Sequence, residues 1–78
     1  MLFEQVIGRL YDCVLEKRIS KKFKRFGWKN VSHIAVQWPD SGSANTRPYI
    51  YGIDPTGLRV PWLASQVDLF ADDWEEVQ

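Results

Sequence analysis

Pro61-Trp62-Leu63-Ala64-Ser65-Gln66-Val67-Asp68-Leu69-Phe70-Ala71-Asp72-Asp73-Trp74 is the stretch that decides how this 78-residue chain is built. Two tryptophans bracket a helix-forming segment that carries three aspartates. Ser65 and Asp68 stand at capping-box spacing, where each side chain accepts a bond from an N–H that the first helical turn leaves unpaired. Val67, Phe70, Ala71 and Trp74 recur every three or four residues and predict one apolar face. Asp72 and Asp73 fall where the helix should end, a pole that disfavours negative charge. Their position implies either a cap for the next segment or a basic partner elsewhere.

Working back from this helix, short strands precede it. Tyr49-Ile50-Tyr51-Gly52-Ile53 is aromatic and β-branched, the composition of a strand. Asp54-Pro55-Thr56-Gly57 fits a type I turn, and Leu58-Arg59-Val60 returns antiparallel until Pro61 ends the pairing. Val31–Trp38 reads as another strand, with Ile34, Val36 and Trp38 on one face and His33, Ala35 and Gln37 on the other. The polar segment 39–45 between these strands reads as a surface loop. Gly27 and Lys29-Asn30 supply turn chemistry around Trp28. The basic run Glu16–Arg25 either extends the first helix or becomes a strand near Lys22–Phe26.

At the N-terminal end, Phe3, Val6, Ile7, Leu10 and Val14 form a helical stripe from Leu2 to about Leu15, with Cys13 on its edge. Glu4, Arg9, Asp12 and Glu16 face outward. Beyond the short helix, Trp74–Val77 reads as a last edge strand. The sum is an α+β fold in a single domain, 1–78. An N-terminal helix packs on a small antiparallel β-sheet, and a short helix is inserted before the last strand.

A chain of this length buries only about 60% of its unfolded surface, so its core is thin. Four Trp, four Phe and three Tyr compensate through large ring areas. The single cysteine allows no intrachain disulfide, and no apolar run is long enough to span a membrane. The expectation is a soluble cytoplasmic protein. The formal net charge is zero, yet residues 1–30 hold eight Lys/Arg against three Asp/Glu, and residues 31–78 hold two against seven. Such polarity predicts that the halves neutralise each other, within one protomer or between protomers. Zero net charge also speaks against a DNA or RNA partner.

One His and one Cys cannot assemble the usual zinc sets. His33, mid-strand and without a histidine partner, reads as structural. Neither a Walker loop nor a Gly-rich dinucleotide fingerprint is present. Asp68 and Asp72, four apart, offer at most part of a hard-cation site, which needs about six oxygen ligands. Capping and ion pairing are the simpler roles. The tryptophans admit two readings. They fill a small core, or Trp28 and Trp62 form an aromatic face beside a helix N-terminus, suited to a nucleotide.

Arg25-Phe26-Gly27-Trp28, Thr46-Arg47-Pro48-Tyr49-Ile50-Tyr51 and above all Pro61 through Glu75 resemble the shared segments of the Thoeris anti-defence protein 2 family. The resemblance spans nearly the whole chain. It departs at Lys29-Asn30, where the family usually has Asn-Gly, and over Cys13–Lys22, a longer charged segment in place of a short Gly-Lys turn.

The resemblance implies a phage sponge rather than an enzyme, with no catalytic residue, metal or cofactor. Such proteins sequester glycocyclic ADP-ribose, the signal made by bacterial TIR-domain enzymes, so the Thoeris effector is not activated. It also implies a homotetramer with pockets between protomers, residence in the cytoplasm of the infected host cell, and no membrane contact. Cyclic di- and trinucleotides are alternative ligands. Carried over by motif, Trp28 and Trp62 stack on the base, and Arg25, Ser65, Gln66 and Asp68 contact or support the ligand, with Trp74 in the core. Two other classes remain beside it. One is a metal-dependent nucleotide hydrolase using Asp68, Asp72 and Asp73; the other is an interaction module whose segment Lys17–Lys29 docks on an acidic partner.

Overall fold

The structure is a computed structural model and describes residues 1–17, 19–29, 31–39 and 47–77. The segment read as a loop over 39–45 therefore lies, from residue 40 on, outside the described residues, as does Asn30 of the expected turn.

The chain runs α1 (Phe3–Glu16), β1 (Lys22–Arg25), β2 (His33–Gln37), β3 (Tyr49–Ile53), β4 (Arg59–Pro61), α2 (Gln66–Phe70) and β5 (Trp74–Val77). The five strands form one antiparallel sheet in the order β4-β3-β2-β1-β5. Strands β1 to β4 follow one another as a meander. The segment holding α2 then carries the chain back across to place β5 beside β1, at the opposite edge. The α+β reading of the sequence is thus the observed architecture.

Register explains the core. Phe23 pairs with Ile34, Ile34 with Gly52, and Val36 with Ile50, so these residues share the sheet face that α1 covers. Phe3, Val6, Leu10 and Cys13 project from α1 into that face and meet Phe23, Ile34, Val36 and Trp74. One assignment on α1 changes: Ile7 lies outside the stripe and is exposed, while Cys13, on the stripe's edge, is fully buried as a small hydrophobe. The helix axis is rotated so that positions 3, 6, 10 and 13 face the strands, which turns position 7 toward solvent. Burying each large apolar side chain in this layer contributes about 1.5–3 kcal/mol.

The loops close as their chemistry requires. The Gly57 amide donates to the Asp54 carbonyl at 2.9 Å, and the Asp54 carboxylate accepts from the Thr56 and Leu58 amides and the Thr56 hydroxyl. The pairing ends at Pro61, which is itself the last residue of β4 and pairs with Tyr51. An edge strand tolerates proline because its missing N–H faces solvent.

Charge halves meet within the protomer. Arg9 and Lys21 approach Glu76 at 3.7 and 4.0 Å, and Lys24 approaches Glu75 at 3.7 Å. Glu75 and Glu76 on edge strand β5 therefore face the basic strand β1 and helix α1, which accounts for the lopsided sequence. These exposed pairs are each worth under about 1 kcal/mol.

Phe23 is fully enclosed between α1 and the sheet. Phe23→Ala is expected to cost about 3–5 kcal/mol, enough to shift the urea midpoint by more than half in a domain this small. A midpoint within error of the parent would show that the core is not organised around this ring.

Candidate ligand-binding site

The site assembles at the end of the sheet where β1 leaves and β2 enters. After β1, a turn closed by the Trp28 amide on the Arg25 carbonyl at 3.3 Å reverses the chain. Gly27 sits in it at φ +82°, a conformation that side chains resist, so glycine is needed to swing Trp28 back over the domain. After β4, Trp62 reaches the same place from the other edge. Their ring centroids lie 6.3 Å apart at 53°, and both rings contact Trp74, at 5.2 and 6.0 Å. Phe3 of α1 completes the cluster, 5.9 Å from Trp62 and 5.2 Å from Trp74.

Gly52 makes room for this arrangement. A Cβ there would stand 3.2 Å from the Val31 side chain and 3.7 Å from the Trp62 ring, so its absence lets both close over β3. Between Trp28 and Trp62 opens a cleft of about 370 Å³, lined also by Gly27, Lys29, Val31 and Asp68. Its volume falls at the small end of the range of about 300–1,000 Å³ for ligand sites.

Beneath the cleft lies a charged clamp. Arg25 on β1 donates from Nε to Asp73 at 2.9 Å and from Nη1 to Asp68 at 3.0 Å. One guanidinium thus ties β1 to the start of α2 and to the residue before β5. Asp68 also accepts from the Ser65 amide at 3.0 Å, while its own amide donates to the Ser65 hydroxyl at 3.1 Å. The capping box read from the sequence is present. The Trp74 indole N–H donates to the Asp68 carbonyl at 3.0 Å, pairing a carbonyl near the helix end. Asp73 has its basic partner in Arg25, whereas residue 72 is engaged through its main chain, the Asp72 carbonyl accepting from the Met1 nitrogen at 3.3 Å.

Electrostatics follow from these bonds. The bonds to Asp73 and Asp68 raise the Arg25 pKa, so it stays charged. Burial alone pushes the Asp68 carboxyl up, but bonds from the Ser65 amide and Arg25 outweigh it and hold the group low. Arg25 likewise holds Asp73 below the usual carboxylate range.

The structure sorts the residues singled out from sequence. Trp28, Trp62 and Asp68 line the cleft. Arg25 and Ser65 do not; both fix Asp68 from behind. Gln66 is exposed at the start of α2, away from the lining. The α2 amides are partly committed to the capping box, which weakens the idea of an anion held at that terminus. Trp74 is buried, as read. Asp68 and Asp72 do not share a helix face, because α2 ends at Phe70. Among the described residues no group of three His, Cys, Asp or Glu is placed to hold a metal. His33 lies half-buried on the uncovered sheet face, where burial and Lys22 lower its pKa.

The apolar face expected on α2 is the clearest correction. Val67 is 67% and Phe70 81% exposed, so of that set Trp74 is buried, Ala71 packs half-buried against the core, and the two α2 residues face outward. Five residues are too short to lie flat on the sheet while their cap is held by Arg25 at its edge. Sequence reasoning missed Val31 as a lining residue. No pattern around it signals a site, and only the fold brings it beside Trp62.

Asp68 and Asp73 have lowered values in the folded chain, so the unfolded chain binds more protons in acid. The stability they add is complete above the ordinary carboxylate range near pH 4 and is lost as pH falls through their folded values. Tryptophan fluorescence during acid titration should therefore show unfolding below about pH 4. The double variant Asp68→Asn/Asp73→Asn should be less stable at neutral pH and flatter in its pH dependence. An unchanged acid profile would exclude the clamp as a source of stability.

The chain matches no curated protein. The model of one family, the Thoeris anti-defense 2-like domain, matches residues 1–77. That match covers both tryptophans of the cleft, the Arg25 clamp and the capped helix, and the chain accordingly belongs to the Thoeris anti-defense 2-like family.

Proposed function

We propose that this chain binds and sequesters a nucleotide-derived immune signal, glycocyclic ADP-ribose from TIR-domain enzymes, without degrading it. Family membership supports an anti-defence role. The observation that carries the ligand class is the pair of half-buried tryptophans facing one cleft, with Lys29 on its rim. A base stacks on such a surface for about 1–3 kcal/mol. Lys29 meets phosphate, and Asp68 accepts hydroxyl hydrogens from a ribose, its orientation fixed by Arg25 and Ser65. Arg25 and Ser65 are supports in this reading, and Gln66 contributes only from the rim.

Among the described residues the cleft is lined by Gly27, Trp28, Lys29, Val31, Trp62 and Asp68, of which only Asp68 carries a carboxylate. Asp68 is committed to its clamp, and the reading is of a sponge. A sponge must bind more tightly than the effector it starves, which requires roughly nanomolar affinity, about −12 kcal/mol. Two rings and one lysine on an open cleft fall short of that. Leu63, Val67 and Phe70 lie exposed in the segment between Trp62 and Trp74. A second protomer laid over this face closes the cleft and buries them, so the functional unit is a homo-oligomer, a tetramer by family resemblance, in the host cytoplasm. Cyclic di- or trinucleotides present the same bases and phosphates and are the alternative ligands.

Calorimetric titration with glycocyclic ADP-ribose tests this. The parent chain should bind tightly, and Trp62→Ala should weaken binding at least about tenfold, in line with loss of one stacked base. Trp62→Phe, which keeps the contact with Phe3, should retain most of it. Unchanged affinity in Trp62→Ala, with helix content preserved, would remove the stacking assignment.

A further inference from the structure

The cleft is electrically divided, and its two charged residues demand different chemistry from a ligand. Lys29 is exposed and takes part in no ion pair within the described residues. Asp68 is more enclosed, with 14% of its side chain exposed. Its Oδ1 accepts from Arg25 at 3.0 Å and its Oδ2 from the Ser65 amide at 3.0 Å. A carboxylate offers about four lone-pair positions, so these contacts leave room for a donor from a ligand.

The arginine does not neutralise this group. Arg25 also bonds Asp73, so one positive charge stands against two negative ones and the clamp as a whole is negative. Burial pushes the Asp68 pKa up, but the bonds from Ser65 and Arg25 outweigh it and keep the carboxyl ionised at neutral pH. In that state it accepts hydrogen bonds and donates none. A hydroxyl satisfies it. A phosphate oxygen brings a second negative charge and no proton, into a place that water screens poorly.

We propose that Asp68 is the specificity-determining residue of the cleft, admitting ligands that present a free ribose hydroxyl to it and turning away those that present phosphate. The inference rests on the nucleotide reading of the cleft and decides between the ligand classes named for it. A ligand of the ADP-ribose type gathers its phosphates into one pyrophosphate and keeps ribose hydroxyls free elsewhere. Lys29 and Asp68 are then satisfied together. A cyclic dinucleotide carries as many phosphates but sets one on each side of every ribose. Whichever ribose approaches Asp68 brings a phosphate with it. Dinucleotide-binding folds follow the same logic, with an acidic side chain where a free ribose hydroxyl is taken and an arginine where a 2′-phosphate is taken.

Competition for the cleft tests this. Labelled glycocyclic ADP-ribose is bound to the parent chain or to Asp68→Asn and displaced by unlabelled glycocyclic ADP-ribose or by cyclic di-AMP. The parent should prefer glycocyclic ADP-ribose by at least about thirtyfold, since like charges brought together are costly. Asp68→Asn keeps the shape and removes the charge, and should narrow that ratio at least about tenfold. Damage to the fold would weaken both ligands alike and leave the ratio standing. The parent chain supplies a second reading without any substitution. Raising salt from about 50 to about 500 mM screens the repulsion and should narrow the ratio in the same direction. A parent that takes both ligands equally well, or a ratio unmoved in folded Asp68→Asn or by salt, would overturn the assignment and leave the nucleotide reading in place. A parent that binds neither ligand would overturn both.

Discussion

The guanidinium of Arg25 is the hinge point of the structure. It bonds two carboxylates of one connecting segment, Asp68 in α2 and Asp73 before β5. The segment must travel from one edge of the sheet to the other, and α2 buries none of its own residues. Trp62 and Ala71 pack on the core at either end of the segment, and between them directional polar contacts position α2. The fork of arginine suits this, since two of its N–H groups reach two acceptors at once. With Asp68 held, the Trp74 indole gains its acceptor and Trp28 and Trp62 pack over that ring. The cleft follows from the clamp.

A thin core shapes what the site can do. One helix covers one face of five short strands, and the remaining large apolar side chains lie at the surface. Stability comes from a few enclosed rings, while the cleft stays open to one side. The cleft offers a fixed acid and a rim lysine, and it does not seal its contents from water. In the proposed reading, closure by other copies of the chain supplies the burial that tight capture needs and covers the apolar outward face of α2.

Much of the architecture was legible because local rules sufficed. Ser65 and Asp68 announced the α2 start, Asp54 to Gly57 announced the turn, and alternation announced β2. Two kinds of feature were not legible. The rotation of α1, which exposes Ile7, depends on how the helix sits on the sheet, and a 3.6-residue period allows either choice. The outward face of α2 has the periodicity of a core face, yet Val67 and Phe70 are exposed, because periodicity alone does not say which surface a helix meets. At the site, the motif gave Trp28, Trp62 and Asp68. Arg25 was recognisable as important, but its role as a support appears only when Asp68 and Asp73 are seen to converge on it. Val31 reaches the cleft through the space that Gly52 leaves, a relation between distant residues that no single stretch displays.

The most direct measurement is capture and release. Protein is mixed with glycocyclic ADP-ribose or a cyclic oligonucleotide, unbound ligand is filtered off, the protein is heat-denatured, and the released molecule is identified by mass. The account predicts that one such ligand disappears from the filtrate and returns intact on denaturation. A ligand that returns altered, or a panel that stays wholly in the filtrate, would contradict it.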